Sequence, residues 1–491
     1  MTTPRSADYV VVGAGTAGCV VARRLLERTG ATVVVVEAGG PPEGIASSGD
    51  PARWVENIGA PHDWAYSYGP EEHLDGRTLL LSRGKVLGGS GSTNALVWVH
   101  GHRADYDGWA AAGATGWSHD EVLPYFRRAE EIGVERATDL HPVAQALVEA
   151  GVSYGMPALE DINVAEPLGA GPITMDVRDG ARTSTWTGHL RPVLDDERLT
   201  LVTGEVTGLS LRGQRCTGVT VRTAEGEADI RADREVVLCA GSINTPRLLL
   251  GSGIGPAGHL RDVGITPVLD LPGVGENLQE HPIIAGPCFE AAEPLPAPTH
   301  NLEGSMAFWR SAADVTVPDL TYVSVQIPYV SAEVAAEHPV PANAFVLAPG
   351  LMRVRSRGRL RLTAGGGLDI RANMLDDPAD VEAAVAGVEI GLELADQPAF
   401  RKLVARRVAP GTATDRSSLT RFVRQSAMPY FHPVGTCAMG TGDDAVVDPQ
   451  LRVRGIEGLR VADASVMPTI TSANTNAPTA MIAEKAADLV A

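Results

Sequence analysis

One glycine pattern near the start constrains this chain more than any other feature. Gly13-Ala14-Gly15-Thr16-Ala17-Gly18 follows an apolar run, Tyr9 to Val12, and opens a segment, Ala17 to Arg28, whose apolar residues recur at helical spacing. Thr32 to Val36 is then a second β-branched run. Strand, turn, helix, strand is the context in which G-x-G-x-x-G cradles a pyrophosphate. Each glycine has its own task. Gly13 permits the tight turn, Gly15 lets backbone approach the anion, and Gly18 lets the helix pack on the strand while the helix N-terminus faces the negative charge. Glu37 ends the second strand nineteen residues beyond Gly18, where a carboxylate can accept hydrogen bonds from ribose hydroxyls. The pattern predicts an adenine-dinucleotide site. A glycine-rich structural turn is the alternative, and the motif by itself does not separate FAD from NAD.

Composition sets the frame around that site. At 491 residues the chain allows about three units of ~150 residues, or two large interleaved ones. With 44% hydrophobic and 21% charged residues it is an ordinary soluble globule with a large core, not a disordered chain. The formal charge of −19 opposes nonspecific binding to nucleic acid or an anionic membrane. The five cysteines, Cys19, Cys216, Cys239, Cys288 and Cys437, form no C-x-x-C pair and no dense framework, so reduced thiols in a cytoplasmic protein are expected. Tyr9 to Ala22 is too short to span a bilayer, and Asp8 before it, with Arg5 the one basic residue ahead, argues against an export signal.

Further along, Pro41 to Gly91 loses periodicity and reads as an ordered but irregular excursion. A helix is expected over His119 to Ile132, started by Ser118. Leu199 to Val202, Thr217 to Thr223 and Glu235 to Cys239 read as strands, and the last runs into Ala240-Gly241-Ser242 and a helical Thr245 to Leu250, a second strand-to-glycine-turn junction. Short strand candidates follow between Ala285 and Gly350, among them Leu320 to Val325 and Ala344 to Ala348, then Arg359 to Leu362, Asp369 to Asn373 and a helix from Pro378 to Leu394. Helical Ala477 to Val490 closes the chain, and no internal repeat is found.

Two segments identify the dinucleotide. Gly84-Lys85-Val86-Leu87-Gly88-Gly89-Ser90-Gly91-Ser92-Thr93-Asn94 continues to Asp105-Tyr106-Asp107 and Trp109, and Gly241-Ser242-Ile243-Asn244-Thr245-Pro246 continues to Ser252-Gly253-Ile254-Gly255. Here the chain resembles the glucose–methanol–choline (GMC) oxidoreductases, whose two signature patterns these segments match. A third segment, His432-Pro433-Val434-Gly435-Thr436-Cys437, and a fourth, Asp463-Ala464-Ser465 with Asn474-Thr475-Asn476-Ala477-Pro478, follow in the family's order. The resemblance runs from Asp8 to the C-terminus and is weakest between about Ala285 and Gly350.

The resemblance implies an α/β fold: a Rossmann-like FAD-binding domain interleaved with an α+β substrate domain on an antiparallel sheet. It places the FAD-binding domain in residues 1–155, 196–284 and 429–491, the last carrying the catalytic pair, and the substrate domain in residues 156–195 and 285–428. It implies oxidation of a small-molecule alcohol, with electrons passing to O2 or another acceptor. It makes His432 the catalytic base and Asn474 its partner. Residues brought to FAD are Gly13, Gly15, Thr16, Ala17 and Gly18 in the first loop and Glu37 with Ala38 after it. Arg83, Val86, Gly88, Gly89, Ser90, Thr93, Asn94, Ala95 and Val97 follow in the second loop. Val206 at adenine, Ala240, Gly241, Asp463, Ala464, Asn474, Asn476 and Pro478 complete the set. Some relatives carry a histidine at the position of Thr93 that links covalently to flavin; threonine forms no such bond, so noncovalent FAD is expected.

The residue chemistry agrees. Glycines 88, 89 and 91 let backbone amides approach a ring system, and Asn94 can bond across the loop. Moving a hydride from an alcohol carbon is easier as the hydroxyl proton leaves, which suits a histidine, and an asparagine can donate to the developing alkoxide without competing for that proton. Phe431 is a candidate wall of the substrate pocket, with Trp98, Tyr322 and Met428 behind it. A hydroxynitrile lyase on the same FAD-binding fold is the alternative function, and a nicotinamide dehydrogenase using the glycine fingerprint alone is a second.

Other signals carry less. Gly151-Val152-Ser153-Tyr154-Gly155 matches a hydrolase nucleophile elbow, but Val143 to Ala150 has helical spacing where that elbow needs a strand. His100 and His102 lack further ligands at metal-binding spacing and read as solvated loop histidines, so no metal is expected. His281-Pro282 reads as structural or flavin-proximal, and Cys437 as packing. A monomer or homodimer, with no nucleic-acid or membrane partner, completes the expectation.

Overall fold

The computed structural model describes residues 4–490. Two sheets organise it. The first is built on the predicted strand-turn-helix-strand unit: Ser6–Val12 lies between Val33–Glu37 and Gly226–Leu238, parallel to both, and Leu199–Thr203 extends the parallel order beyond Val33–Glu37. Arg215–Thr223 and Glu205–Arg212 add an antiparallel flank, and Leu459–Val461 pairs parallel with the end of Gly226–Leu238. The Val33-Val34-Val35-Val36 run is buried on both faces, as unbroken β-branched runs in parallel sheets are. Helix Thr16–Arg28 and the closing helix Asn476–Val490 pack on each other, and Arg24 of the first pairs at 2.9 Å with the buried Glu484 of the second.

The second sheet is antiparallel. Its order is Val404–Ala409, Cys288–Ala291, Ala344–Leu351, Leu320–Val325, Ser305–Trp309 and Gly169–Pro172. Pro282–Ile284 joins it beside Ala344–Leu351, and Ala427–Pro429 pairs with Pro282–Ile284. Helix Pro378–Ala395 covers one face. The chain is therefore an α/β protein in which a parallel sheet and an antiparallel sheet are threaded by the same polypeptide. Among the described residues no helix is long and apolar enough to cross a membrane.

Two sequence readings need correction. The excursion after Pro41 contains a β-hairpin, Tyr66–Glu71 with Arg77–Leu81, whose alternation is broken by Gly69 and Pro70 and whose register shifts between Tyr68 and Glu71. Arg103–Ala111 is a helix, capped by the His102 side chain, which accepts from Ala104 N at 3.1 Å. His100 and His102 are thus buried rather than solvated; His100 Nε2 lies 2.8 Å from the Glu130 carboxylate. The hydrolase alternative fails on the expected ground, since Ser153 lies inside helix Pro142–Tyr154.

Candidate functional site

A single long cleft runs from the parallel sheet to the antiparallel one. At one end the glycine loop meets the second glycine segment backbone to backbone. A Cβ on Gly89 would lie 2.8 Å from Gly15 Cα, and one on Gly13 would lie 2.6 Å from the carbonyl oxygen of Cys239. A Cβ on Gly18 would lie 1.8 Å from the Gly13 carbonyl, so that glycine serves helix packing and stands behind the cleft wall. Glu37 ties the loop together: Oε2 accepts from Ala14 N and Oε1 from Gly39 N, both at 2.8 Å, and burial pushes its carboxyl up to about 7.

Most of the predicted cofactor residues share this wall. Gly13, Gly15, Thr16, Ala17, Glu37, Ala38, Val206, Ala240 and Gly241 line the glycine-loop end, and Arg83, Gly89, Ser90, Thr93, Asn94, Ala95 and Val97 line the middle with Asp463, Ala464, Asn474 and Asn476. Asp463 clamps two turns, accepting from Gly241 N at 2.8 Å and the Thr245 hydroxyl at 2.6 Å through Oδ2 and from Ser465 N at 2.9 Å through Oδ1. Thr16 Oγ1 donates to Asn476 Oδ1 at 2.8 Å, joining the first loop to the last helix. Gly88 and Val86 lie just behind the wall, Gly88 with a φ of +87° that favours glycine, and Pro478 is buried in the closing helix.

These residues fit a dinucleotide carrying a flavin. A backbone-lined cradle, whose Gly13 and Gly89 have no room for a Cβ, sits at a helix N-terminus beside an acid, and the cleft continues past the cradle into the antiparallel sheet.

The far end holds the histidine. Ala427–Pro429 and Pro282–Ile284 pair so that Pro429 faces Pro282, and the ladder continues with Tyr430 N donating to His281 O at 2.9 Å. Phe431 then adopts a φ of +64°, turning the chain, and His432 N donates to the Glu280 carboxylate at 2.6 Å. Glu280 also accepts from the Tyr68 hydroxyl at 2.9 Å, which is how the hairpin missed in the sequence reaches the site.

Both ring nitrogens of His432 have neighbours. Nδ1 lies 3.0 Å from His281 Nδ1, and Nε2 lies 3.2 Å from Asn474 Nδ2. His281 Nε2 lies 3.0 Å from the Met352 carbonyl oxygen, which can only accept. That carbonyl assigns the proton of neutral His281 to Nε2, leaving its Nδ1 as an acceptor. His432 must then donate from Nδ1, and its Nε2 is left as an acceptor on the cleft side, where Asn474 Nδ2 donates to it. Burial, with the charge of Arg83 behind it, holds His432 well below its ordinary value of 6.5, and burial takes His281 down to about 3.

Among the four pocket candidates, Phe431 lines the cleft. Trp98 and Tyr322 are fully buried elsewhere, the Tyr322 hydroxyl donating to Gly387 O at 3.1 Å, and Met428 sits in its strand off the wall. The histidine end of the cleft is instead walled by Trp54, Ile283, Glu303, Tyr329 and Tyr430. None of these was singled out, because they come from separate loops and strands. His281 carried a detectable signal, a second His-Pro pair at the edge of a strand.

Comparison with known proteins agrees with this geometry. The family model described as GMC oxidoreductase matches in two pieces, residues 7–283 and 354–483. An oxygen-dependent choline dehydrogenase of Brucella suis biovar 1 (strain 1330) is 37% identical over an alignment of 531 positions, covering 98% of this chain and 95% of the relative. Another of that description, from Paraburkholderia xenovorans, is 38% identical, covering 98% of this chain and 94% of its own. The crystal structure of pyridoxine 4-oxidase from Mesorbium loti superposes with a TM-score of 0.94 at 32% identity, covering 98% of both chains. An R554K variant of Aspergillus oryzae formate oxidase does so at 0.90 and 28%, covering 100% of this chain and 99% of its own. A family match in both sheets' segments, with relatives along nearly the whole length, leaves one conclusion: the chain belongs to the GMC oxidoreductase family, the FAD-dependent alcohol oxidoreductases.

Proposed function

We propose that this protein oxidises an alcohol CH–OH group to the carbonyl, with His432 as the general base and Asn474 as the partner of the developing alkoxide. The observation that carries the reading is the proton order along Met352, His281 and His432, which leaves the His432 Nε2 lone pair on the cleft beside Asn474 Nδ2. FAD, when bound, supplies the hydride acceptor. Gly13, Gly15 and Glu37 would hold its dinucleotide part, and Ser90, Thr93, Asn94 and Asn476 the end nearest His432.

The chain's own residues do the rest. A substrate hydroxyl placed between Nε2 and Asn474 gives its proton to Nε2, while Nδ1–H remains bonded to His281 and holds the ring in register. Asn474 Nδ2 donates to the oxygen as negative charge develops, which stabilises the alkoxide where water is excluded. Glu280, fixing the His432 backbone, and Tyr430, whose ring stacks on the imidazole at a centroid distance of 4.7 Å, restrict the ring's motion. Thr93 supports noncovalent flavin, checked by acid precipitation, after which yellow colour belongs in the supernatant. O2 is the proposed acceptor, in keeping with the oxygen-dependent dehydrogenases and oxidases among the relatives. The division into FAD-binding residues 1–155, 196–284 and 429–491 and substrate-binding residues 156–195 and 285–428 is part of the same proposal; the strands of the two sheets follow it except at Pro282–Ile284, which pairs in the antiparallel sheet, and at Pro429, the last residue of its strand Ala427–Pro429.

The test is His432→Ala. It should retain bound flavin and lose at least ~100-fold in turnover, the low end of general-base effects. Turnover near that of the wild type would overturn the assignment.

A further inference from the structure

Behind the second glycine loop stands a buried cation that the reaction does not use. Arg182 is 8% exposed and comes from a short hairpin in which Val177–Arg178 pairs with Ala181–Arg182. Its four hydrogen bonds go to oxygens of neutral groups: Nη1 to Asn94 Oδ1 at 2.7 Å and Gly91 O at 3.3 Å, Nη2 to Asn94 O at 2.5 Å, and Nε to Ser47 O at 3.2 Å. A buried guanidinium is ordinarily forked on a carboxylate, because desolvating its charge is costly. Here the fork closes on one asparagine. Burial takes the group down to about 10, against the opposing charge of Asp176, so it stays a cation at neutral pH.

The fork decides which way the Asn94 amide is turned. Leu96 N also donates to Asn94 Oδ1, at 3.0 Å, in a turn where Leu96 has a φ of +62°. Two donors on one atom require that atom to be the oxygen. The nitrogen is then the free end: Asn94 lines the cleft, and among the described residues its Nδ2 has no protein acceptor. The same hairpin turns a second cleft asparagine, since Asp176, the residue before Val177, accepts from Asn476 Nδ2 at 3.2 Å through Oδ2. Reduction adds negative charge to a flavin ring, so donors beside the ring favour the reduced form. A donor already fixed in place needs no reorganisation as that charge arrives.

We propose that Arg182 is a positioning residue of the flavin site: it holds Asn94 with its N–H donors toward the cofactor and so raises the flavin's midpoint potential, acting through Asn94 rather than by its own charge. The inference rests on the placing of the flavin against Ser90, Thr93 and Asn94, and it is independent of which alcohol is oxidised.

The midpoint potential of the flavin-loaded protein, read by reduction against a reference dye, tests it in a double-mutant cycle of Arg182→Met and Asn94→Ala. Each single variant is expected to lower the potential by about 30 mV or more, a tenfold loss in the binding of reduced relative to oxidised flavin. The double variant should fall little further than either one. Arg182→Lys keeps the charge and breaks the fork; it should show part of the methionine shift, and it carries the test if the methionine variant holds no flavin. A wild-type potential in Arg182→Met or Arg182→Lys overturns the proposal, because a role in loop packing alone weakens both redox states equally. Fully additive shifts in the double variant overturn it as well, since they belong to a charge acting through space. A wild-type potential in Asn94→Ala takes the flavin away from this part of the cleft and the proposal with it. A shift in Asn94→Ala with none at Arg182 leaves the flavin where it is placed and removes only the role of Arg182.

Discussion

The two ends of the cleft are built on opposite plans. At the glycine-loop end, Gly13 to Gly18 and Glu37 belong to one continuous stretch, and the contacts that matter are made by backbone: Ala14 N and Gly39 N to the Glu37 carboxylate, and Gly15 against Gly89. At the histidine end, His432 is held by Glu280, His281, Asn474 and the ring of Tyr430, side-chain contacts of which the first two reach across more than a hundred residues of sequence. A site made of backbone tolerates few changes in residue size and says little about chemistry; a site made of side chains can be tuned one group at a time. The cofactor end therefore answers to volume and the substrate end to hydrogen bonding.

The largest effect expected from that contrast is at Gly18. Gly18→Val would set a Cβ 1.8 Å from the Gly13 carbonyl oxygen, backbone with nowhere to go, and the protein should purify without flavin or not fold. A yellow, stoichiometrically loaded variant would break the account of that end. Next, Asn474→Ala should keep flavin and lose about 100-fold in the rate of flavin reduction, in the range seen when one oxyanion donor is removed. Single-turnover kinetics read this directly; loss of flavin instead would make Asn474 part of the cofactor end.

Smaller again is the effect at His281. His281→Phe removes the acceptor for His432 Nδ1–H and leaves an unpaired buried donor, a penalty of about 1–3 kcal/mol that corresponds to roughly tenfold or more in rate. His281→Asn, which can accept from His432 and donate to Met352 O, should recover much of it. A packing role alone would not distinguish the two substitutions in kcat at constant flavin content.

The smallest is a displacement in pH. A base works only in its neutral form, and His432 is held well below 6.5 by burial and by the charge of Arg83. Activity should stay level above that value and fall only as pH drops through the depressed pKa, so the acid limb of kcat/KM lies below pH 6.5. A limb above pH 6.5 in the wild type would contradict the buried, neutral imidazole.

The same contrast explains what could be read from the chain. The strand-turn-helix-strand unit, its glycine tasks and Glu37 were legible because each rests on local spacing, and the structure places them as that spacing implies. His432 and Asn474 were legible only through the family resemblance, since a His-Pro pair and an asparagine 42 residues later have no local signature. The Tyr66–Leu81 hairpin was hidden by Gly69 and Pro70, and with it went Tyr68 and its bond to Glu280. Trp98 and Tyr322 drew notice as aromatics yet belong to the core, whereas Glu303 and Tyr430 became visible only when the antiparallel sheet brought them to one wall.

The most direct single measurement is an anaerobic spectrum of the flavin-loaded protein titrated with primary, aryl and amino alcohols. Bleaching of the flavin by an alcohol, lost in His432→Ala with its flavin intact, is the expected result. A flavin that dithionite reduces and no alcohol does, or one that an alcohol reduces equally well without His432, would contradict the assignment.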